Sequence, residues 1–220
     1  DKIRAFLPEV KRPFVTYAIE APADYKAKNI GYHEGKLIFD VYKHDEFLGS
    51  VELNVPGNHN VLNALATVAV SLSCGISFED IAAALSRFHG AKRRFQTKGH
   101  VNGIWVVDDY AHHPTEIHAT LAAARSMGTH RVVCLFQPHR YTRTQLLAEE
   151  FSKAFTCADK LILTDVYSAG EDPIPSIGGT FLTDKVKSAT GQDVEYIGTK
   201  EALLEYLRKN ARPRDLILTM

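Results

Sequence analysis

The amino-acid sequence predicts an α/β protein of two domains, the second of which is a doubly wound, mostly parallel, Rossmann-like sheet. Two observations lead to this prediction. In the second part of the chain, short strand-like segments alternate with helical segments, as they do in parallel sheets covered by helices on both faces. Several of those strand-like segments are almost continuously apolar, which is typical of strands buried on both faces. We place the domain limits at residues 1–93 and 94–220.

The first domain is predicted to contain three strands and two helices. Segments rich in aromatic and β-branched residues predict strands at 14–19, 36–42 and 47–54. A helix is predicted between Gly57 and Gly75, because apolar residues recur there at helical spacing: Leu62, Leu65, Val68, Ala69 and Leu72. Ser77 is the predicted N-cap of a second helix with one apolar face: Ile81, Leu85 and Phe88.

The second domain is predicted to have five strands and four intervening helices. The strands are predicted at 103–108, 131–136, 160–165, 194–197 and 215–219. The helices are predicted near 114–127, 143–156, 178–189 and 199–210. Because ligands of open parallel sheets bind beyond the carboxyl ends of the strands, we expect functional residues just after each strand.

Composition excludes some classes of protein and favours a cytoplasmic one. The chain has 26 basic and 26 acidic residues among 220, so it lacks the positive charge typical of nucleic-acid-binding proteins. No run of eighteen apolar residues and no signal peptide is evident, so we expect no membrane partner. Cys74, Cys134 and Cys157 are not closely spaced, which predicts buried thiols in a reducing cytoplasm.

Polar residues follow three of the predicted strands, at 109–114, 137–143 and 166–171. Arg140 and Arg143 could clamp a carboxylate or a phosphate, or could be a solvated helix face. The segment from His113 to Glu116 could simply start a helix, with His113 near the N-cap. A zinc site is a further alternative, although no HExxH or CxxC motif is present; its ligands would be His112, His113 and His139.

Two more groups lie near the predicted domain boundary. Asn60 and Asn63 are three residues apart, so they share one helix face, and their amides can donate and accept hydrogen bonds as a purine edge requires. The basic run at residues 92–94 could hold phosphates where the second domain begins. Both groups are consistent with a nucleotide site.

Five segments in this order resemble the Mur ligases: GNHNVLNALA, GAKRRF, DDYAHHPTE, FQPHRYTRT and DVYSAGEDPIP. The resemblance covers essentially the whole chain and is strongest to the branch that joins L-alanine to UDP-N-acetylmuramic acid. The muropeptide-recycling branch of the family, the Mpl type, shares the AHHP segment but lacks the QPHRYTR run, and it remains the alternative. The resemblance implies that residues 1–93 are the later part of a central ATPase domain and 94–220 an amino-acid-binding ligase domain.

The resemblance also implies roles for individual residues, with ATP, Mg2+, L-alanine and UDP-N-acetylmuramic acid as ligands. The nucleotide would be bound by four residues: Asn60 and Asn63 at adenine, Arg94 at the phosphates, and Asp109, which would contact the ribose or position the nucleotide. L-Alanine and the acyl-phosphate end of the sugar substrate would be surrounded by Tyr110, His112, Arg140 and Arg143. Three of these residues would be catalytic: Arg94, Asp109 and His112.

The implied reaction belongs to peptidoglycan synthesis and depends mainly on positioning and charge neutralisation. ATP would convert the lactyl carboxylate of the sugar into an acyl phosphate, and the amine of alanine would then displace phosphate. No G-x-x-x-x-G-K-[ST] motif occurs in the sequence. The resemblance places that loop, the Mg2+ ligands and a UDP-binding domain before Asp1, so we expect the 220-residue chain alone to be inactive.

Overall fold

The computed structural model describes residues 5–128 and 131–220, which form two compact units. The first unit runs to Asn54 and resumes at His59–Phe88, and the second comprises Val55–Asn58 and His89–Met220. The first contains a four-stranded sheet and the second a six-stranded sheet. Within the described residues, no helix has the length and apolar character needed to cross a membrane.

The sheet of the first unit is mostly antiparallel. Its strands are β1 (Tyr17–Ala18), β2 (Tyr25–His33), β3 (Lys36–Lys43) and β4 (Glu46–Leu53), in that order, and a 3-10 turn at Leu7–Glu9 precedes them. Only β1 pairs in parallel with its neighbour, β2. The sequence did not predict β2 as a strand, although it is the longest of the four.

Two helices complete the first unit, α1 (Asn58–Ser73) and α2 (Phe78–Ser86). The buried stripe of α1 lies slightly to one side of the predicted one and consists of Val61, Ala64, Leu65, Val68 and Ala69. Ser77 caps α2 as predicted, since its side chain accepts a hydrogen bond from the Asp80 amide. The prediction for Phe88 was wrong: α2 ends at Ser86, so the Phe88 ring is 50% exposed in the following loop.

The six-stranded sheet of the second unit has the order β5-β6-β10-β7-β8-β9. Its strands are β5 (Gln96–Val101), β6 (Ile104–Asp108), β7 (Arg131–Phe136), β8 (Lys160–Leu163), β9 (Val194–Tyr196) and β10 (Asp215–Thr219). All neighbours pair in parallel except β5, which forms an antiparallel hairpin with β6. The five predicted strands are therefore confirmed, and β5 is an addition.

Helices cover both faces of this sheet, as predicted. They are α3 (Pro114–Ser126), α4 (Tyr141–Leu146), α5 (Ala148–Ala154), α6 (Phe181–Thr190) and α7 (Lys200–Asn210). Val132, Cys134 and Phe136 of β7 join a core with residues of α3, α5 and α6. The alternate residues Val133 and Leu135 belong to a second core that faces α7. This two-sided burial explains why β7 is a continuous apolar run.

Two further predictions about this chain need correction. The helix predicted at 143–156 is two short helices, because the backbone leaves helical geometry at Leu147. Cys134 is buried and Cys157 is partly buried, but Cys74 is exposed. Cys74 follows the last turn of α1, just before the chain reverses at Gly75 in a left-handed conformation, and that position faces solvent.

Candidate functional site

Three loops leave the carboxyl ends of β6, β7 and β8 at one edge of the parallel sheet. We call them the first rim loop (residues 109–113), the second rim loop (137–140) and the third rim loop (164–180). An isolated parallel bridge between His139 and Tyr167 joins the second and third loops. These loops contain or adjoin most of the site residues that the sequence predicts in the second domain.

The buried carboxylate of Asp109 organises the start of the first rim loop. Its side chain is 4% exposed and accepts hydrogen bonds from the amides of Phe95 and Ala111, both at 2.7 Å. The Asp109 amide donates to the Thr219 carbonyl at 2.9 Å, which ties the loop to β10. Both carboxylate oxygens therefore hold protein backbone, and the role of Asp109 toward a nucleotide remains a prediction.

The backbone around Arg94 is strained and is held by the same loop. Arg93 and Phe95, on either side of Arg94, have φ values of 56° and 48°. Such left-handed conformations are unfavourable for residues other than glycine and persist only where surrounding contacts enforce them. The Arg93 carbonyl accepts from the Tyr110 amide at 2.7 Å, and the Phe95 amide donates to Asp109. The position of the Arg94 backbone is therefore fixed by the first rim loop.

Aromatic rings and positive charges meet above this loop. The Tyr110 ring is 47% exposed, and the guanidinium carbons of Arg93 and Arg94 lie 5.0 Å and 5.9 Å from its centroid. The His112 ring contacts Tyr110 edge-on at 5.0 Å, and its Nδ1 lies 2.8 Å from the Tyr110 carbonyl oxygen. Three of the predicted site residues, Arg94, Tyr110 and His112, are thus neighbours.

Glu116, in the first turn of α3, contacts both Arg94 and His112. Its Oε2 accepts hydrogen bonds from the amides of His112 and His113, at 3.1 Å and 3.3 Å. Oε2 also lies 3.4 Å from Nδ1 of His112, and Oε1 lies 3.8 Å from Nη1 of Arg94. Burial raises the pKa of Glu116, but the two amides and the charges of His112 and Arg94 outweigh it and leave the pKa lowered. The side chain is therefore ionised at neutral pH.

His113 is the N-cap of α3. Its Nδ1 accepts a hydrogen bond from the Thr115 amide at 3.4 Å, and Glu116 completes a capping box with the His113 amide. The His113 side chain is exposed. Of the two roles that the sequence allowed for His113, the structure supports the helix cap.

The second rim loop holds Arg140 in a strained conformation. Arg140 has a φ of 74°, and its amide donates to the Tyr167 carbonyl at 2.8 Å. The Tyr167 amide in turn donates to the Pro138 carbonyl at 2.8 Å, so the third rim loop grips the second on both sides of His139. The Arg140 carbonyl accepts from the amide and the hydroxyl of Thr144 in α4. Strain that neighbouring elements enforce in this way is common at ligand-binding residues.

His139 lies at the centre of the three rim loops. Its ring centroid is 6.4 Å from that of His112 and 5.4 Å from that of Tyr167. Its Nδ1 lies 3.4 Å from Nη1 of Arg143. Burial lowers the pKa of His139, and the positive charges of Arg143, Arg140 and His112 lower it further against the opposing charge of Glu171. Burial and the neighbouring positive charges therefore favour the neutral imidazole of His139.

Glu171 of the third rim loop anchors the helix that carries Arg143. Its carboxylate accepts from the amide and the hydroxyl of Thr142, at 3.1 Å and 2.6 Å. The hydroxyl bond is the main reason why the pKa of Glu171 is lowered. From the sequence, His139 was predicted only as a possible zinc ligand, and Tyr167 and Glu171 received no individual role within their polar segment. Their position directly after buried strands was the signal that could have found them.

The two predicted adenine ligands lie in the first unit, on α1. The side-chain amide of Asn63 donates to Oδ1 of Asn60 at 3.3 Å, so the two residues share one helix face as predicted. The other predicted site residues, Arg94, Asp109, Tyr110, His112, Arg140 and Arg143, all belong to the second unit. Within residues 5–128 and 131–220, no three His, Cys, Asp or Glu side chains are grouped so that they could hold a metal ion. The zinc alternative therefore has no support in that part of the chain.

Comparison with known families decides the classification of this fold and site. The family model for the Mur ligase glutamate ligase domain matches residues 93–220, and the model for the Mur ligase middle domain matches residues 1–71. The chain belongs to the Mur ligase family. The resemblance that the five sequence segments indicated is therefore confirmed, and so is the predicted fold class.

Individual Mur ligases extend the comparison. The chain is 50% identical over 220 residues to a UDP-N-acetylmuramate–L-alanine ligase of Pelotomaculum thermopropionicum, covering all of this chain and 48% of the relative. It is 46% identical over 217 residues to the enzyme of that name from Syntrophus aciditrophicus, covering 99% of this chain and 45% of the relative. The chain thus spans about half the length of these relatives.

Solved Mur ligase structures share the fold. The crystal structure of UDP-N-acetylmuramate–alanine ligase MurC from Thermotoga maritima matches with a TM-score of 0.75 and 30% identity, covering 93% of this chain and 44% of that one. The murein peptide ligase Mpl from Psychrobacter arcticus gives a TM-score of 0.59 and 26% identity, covering 93% and 42%. The similarity to both agrees with a fold common to several branches of the family.

Proposed function

We propose that the whole protein containing this chain is an ATP-dependent ligase that joins L-alanine to UDP-N-acetylmuramic acid. The observation that carries the proposal is the conformation of Arg140, whose backbone is strained and hydrogen-bonded to the third rim loop. Arg140 adjoins His139, which contacts Arg143. This arrangement suits the carboxylate of a free amino acid. The relatives that are 50% and 46% identical bear the name of a ligase for L-alanine.

In the proposed amino-acid site, Arg140 and Arg143 hold the carboxylate of alanine and leave its amine free. Tyr110 and His112 line the side of the site toward the acyl-phosphate end of the sugar substrate. His139 is neutral because its pKa is lowered, so it contributes hydrogen bonds without opposing the release of a proton from the ammonium group. The residues act by holding two reactants in a productive orientation.

The proposed reaction has two steps. An oxygen of the lactyl carboxylate attacks the γ-phosphorus of ATP, and ADP leaves. The deprotonated amine of alanine then attacks the acyl carbon, an amide bond forms and inorganic phosphate leaves. Negative charge develops on oxygens in both steps, and the positive charges around the rim loops stabilise it.

For the nucleotide, Asn60 and Asn63 of the first unit are the proposed adenine ligands, and Arg94 of the second unit is the proposed phosphate ligand. Asp109 contacts the ribose or positions the nucleotide. We propose the domain limits 1–93 and 94–220 for these two functions. Mg2+ would accompany ATP and would neutralise charge on its phosphates. ATP and a UDP-linked sugar are cytoplasmic metabolites, which places the proposed activity in the cytoplasm and in peptidoglycan synthesis.

A steady-state assay of the whole protein tests the proposal. Phosphate release should require both UDP-N-acetylmuramic acid and L-alanine, and mass spectrometry should detect the amide product. Release with a preformed tripeptide but not with alanine would move the protein to the muropeptide-recycling branch. Release with neither would contradict both assignments.

A further inference from the structure

We infer that Glu116 is a positioning residue that couples the proposed nucleotide site to the proposed amino-acid site; this inference rests on the proposed function. One carboxylate reaches an arginine and a histidine that are assigned to different substrates. Oε1 lies 3.8 Å from Nη1 of Arg94, and Oε2 lies 3.4 Å from Nδ1 of His112. Arg94 is assigned to the ATP phosphates and His112 to alanine.

A helix cap alone does not explain this geometry. Capping requires only that a side-chain oxygen of Glu116 accept a hydrogen bond from the His113 amide, and a neutral glutamine does this equally well. The ion pair with Arg94 requires a negative charge on the Glu116 carboxylate, whose other oxygen faces Nδ1 of His112. The lowered pKa of Glu116 agrees with a carboxylate that stays ionised.

Among the described residues, Glu116 is the carboxylate that pairs with Arg94. Arg93, the neighbouring arginine, is already paired with Asp108, its Nε lying 3.2 Å from Oδ2. Asp109 directs both carboxylate oxygens to backbone amides. Arg94 and His112 also share Tyr110 as a neighbour. The guanidinium carbon of Arg94 lies 5.9 Å from the centroid of the Tyr110 ring, and the centroid of the His112 ring lies 5.0 Å from it. Glu116 therefore sets the orientation of both side chains relative to one another.

The consequence is a linkage between two substrates. When Arg94 is drawn toward a phosphate, the Glu116 carboxylate keeps only the contact with Nδ1 of His112, and the His112 ring is held more firmly toward the amino acid. The reverse applies when alanine occupies the site, because energetic coupling between two ligands is reciprocal. The effect is modest, since partly exposed ion pairs contribute up to about 1 kcal/mol, or about fivefold in a binding constant.

The test compares Glu116→Gln with Glu116→Ala in the whole protein. Glu116→Gln keeps the cap and removes the charge, so its melting temperature should stay close to that of the wild type. Its Michaelis constants for ATP and alanine should each rise up to about fivefold, while the constant for UDP-N-acetylmuramic acid stays unchanged. Glu116→Ala should show the same kinetic changes together with a lower melting temperature, because the cap is lost. Glu201→Gln is the matched control, since Glu201 lies in the first turn of α7 on the other face of the sheet.

Unchanged constants for ATP and alanine in Glu116→Gln would overturn the inference, and so would an equal rise for all three substrates. A second measurement does not depend on activity. In NMR spectra of the chain, Glu116→Gln should shift the side-chain Nε–H signal of Arg94 and the ring signals of His112, but not the Nε–H signal of Arg131, which pairs with Asp215. Unmoved signals would show that the Glu116 carboxylate does not contact Arg94 and His112, and would overturn the inference. Shifted signals in a protein without alanine-dependent turnover would instead contradict the proposed function.

Discussion

Replacing Asp109 by Asn should destabilise the second unit far more than the size of the change suggests. The Asp109 carboxylate is buried, and each oxygen accepts a backbone amide at 2.7 Å. Asn can offer only one acceptor oxygen, so its NH2 group must face the N–H of either Phe95 or Ala111. Losing one charge-assisted hydrogen bond and leaving a buried donor unsatisfied costs about 2–3 kcal/mol. For a unit of this size, the urea midpoint should fall by about 1 M.

Tryptophan fluorescence provides the assay, because the chain contains a single Trp and it lies in the second unit. The Trp105 ring centroid is 5.9 Å from that of Phe95, the residue whose amide Asp109 holds. Asp108→Asn is the matched control: Asp108 is the preceding residue, and its ion pair with the exposed side chain of Arg93 contributes at most about 1 kcal/mol. Equal midpoints for Asp109→Asn and wild type, or a larger loss in Asp108→Asn, would refute the reasoning.

Three further predictions concern the rim loops. Arg140→Ala should raise the Michaelis constant of the whole protein for alanine, by the equivalent of about 2–5 kcal/mol if a charge pair buried by the bound alanine is broken, whereas Arg94→Ala should act mainly on ATP; an unchanged alanine constant would remove Arg140 from the site. Gly179→Ala should cost about 1–2 kcal/mol in urea unfolding, because the added methyl meets a tyrosine ring, whereas Gly178→Ala meets no atom within 4 Å and should be neutral. Burial and neighbouring arginines lower the pKa of His139, so the neutral form is favoured in the folded state. The neutral His139 side chain therefore contributes fully to the free energy of unfolding above its usual pKa of about 6.5, and this contribution is lost as the pH falls through its lowered pKa in the folded state. In His139→Asn, this change in the free energy of unfolding with pH should disappear.

The parallel strands could be predicted because their environment is visible in their composition. A strand such as β7 is buried on both faces, so nearly every residue is apolar. The strands β2 and β5 were missed for the opposite reason. β2 alternates in burial only over its first residues and includes two lysines, and β5 is mostly polar and lies at the edge of its sheet. Both are strands because a neighbouring strand pairs with them, and local composition does not record that pairing.

The site could be predicted as a set of loops but not as a set of contacts. The rule that ligands bind at the carboxyl ends of parallel strands located Tyr110, His112 and Arg140 in advance. It could not show that Glu116 reaches Arg94, because the two residues are far apart in sequence and meet only through the folded first rim loop. The exposure of Cys74 was missed because composition suggests a buried thiol and the turn at Gly75 decides otherwise.

The bridge between His139 and Tyr167 has a consequence for how this site can change in evolution or design. Two backbone hydrogen bonds, with Tyr167 as the partner in both, tie the second rim loop to the third, so the position of Arg140 depends on residues that need not touch a substrate. Insertions or substitutions in the third rim loop can therefore move Arg140 while both arginines are kept, and under the proposed function this would change which amino acid is accepted. Selection for a different amino acid would then act first on residues of the third rim loop, and the unchanged arginines would move with that loop.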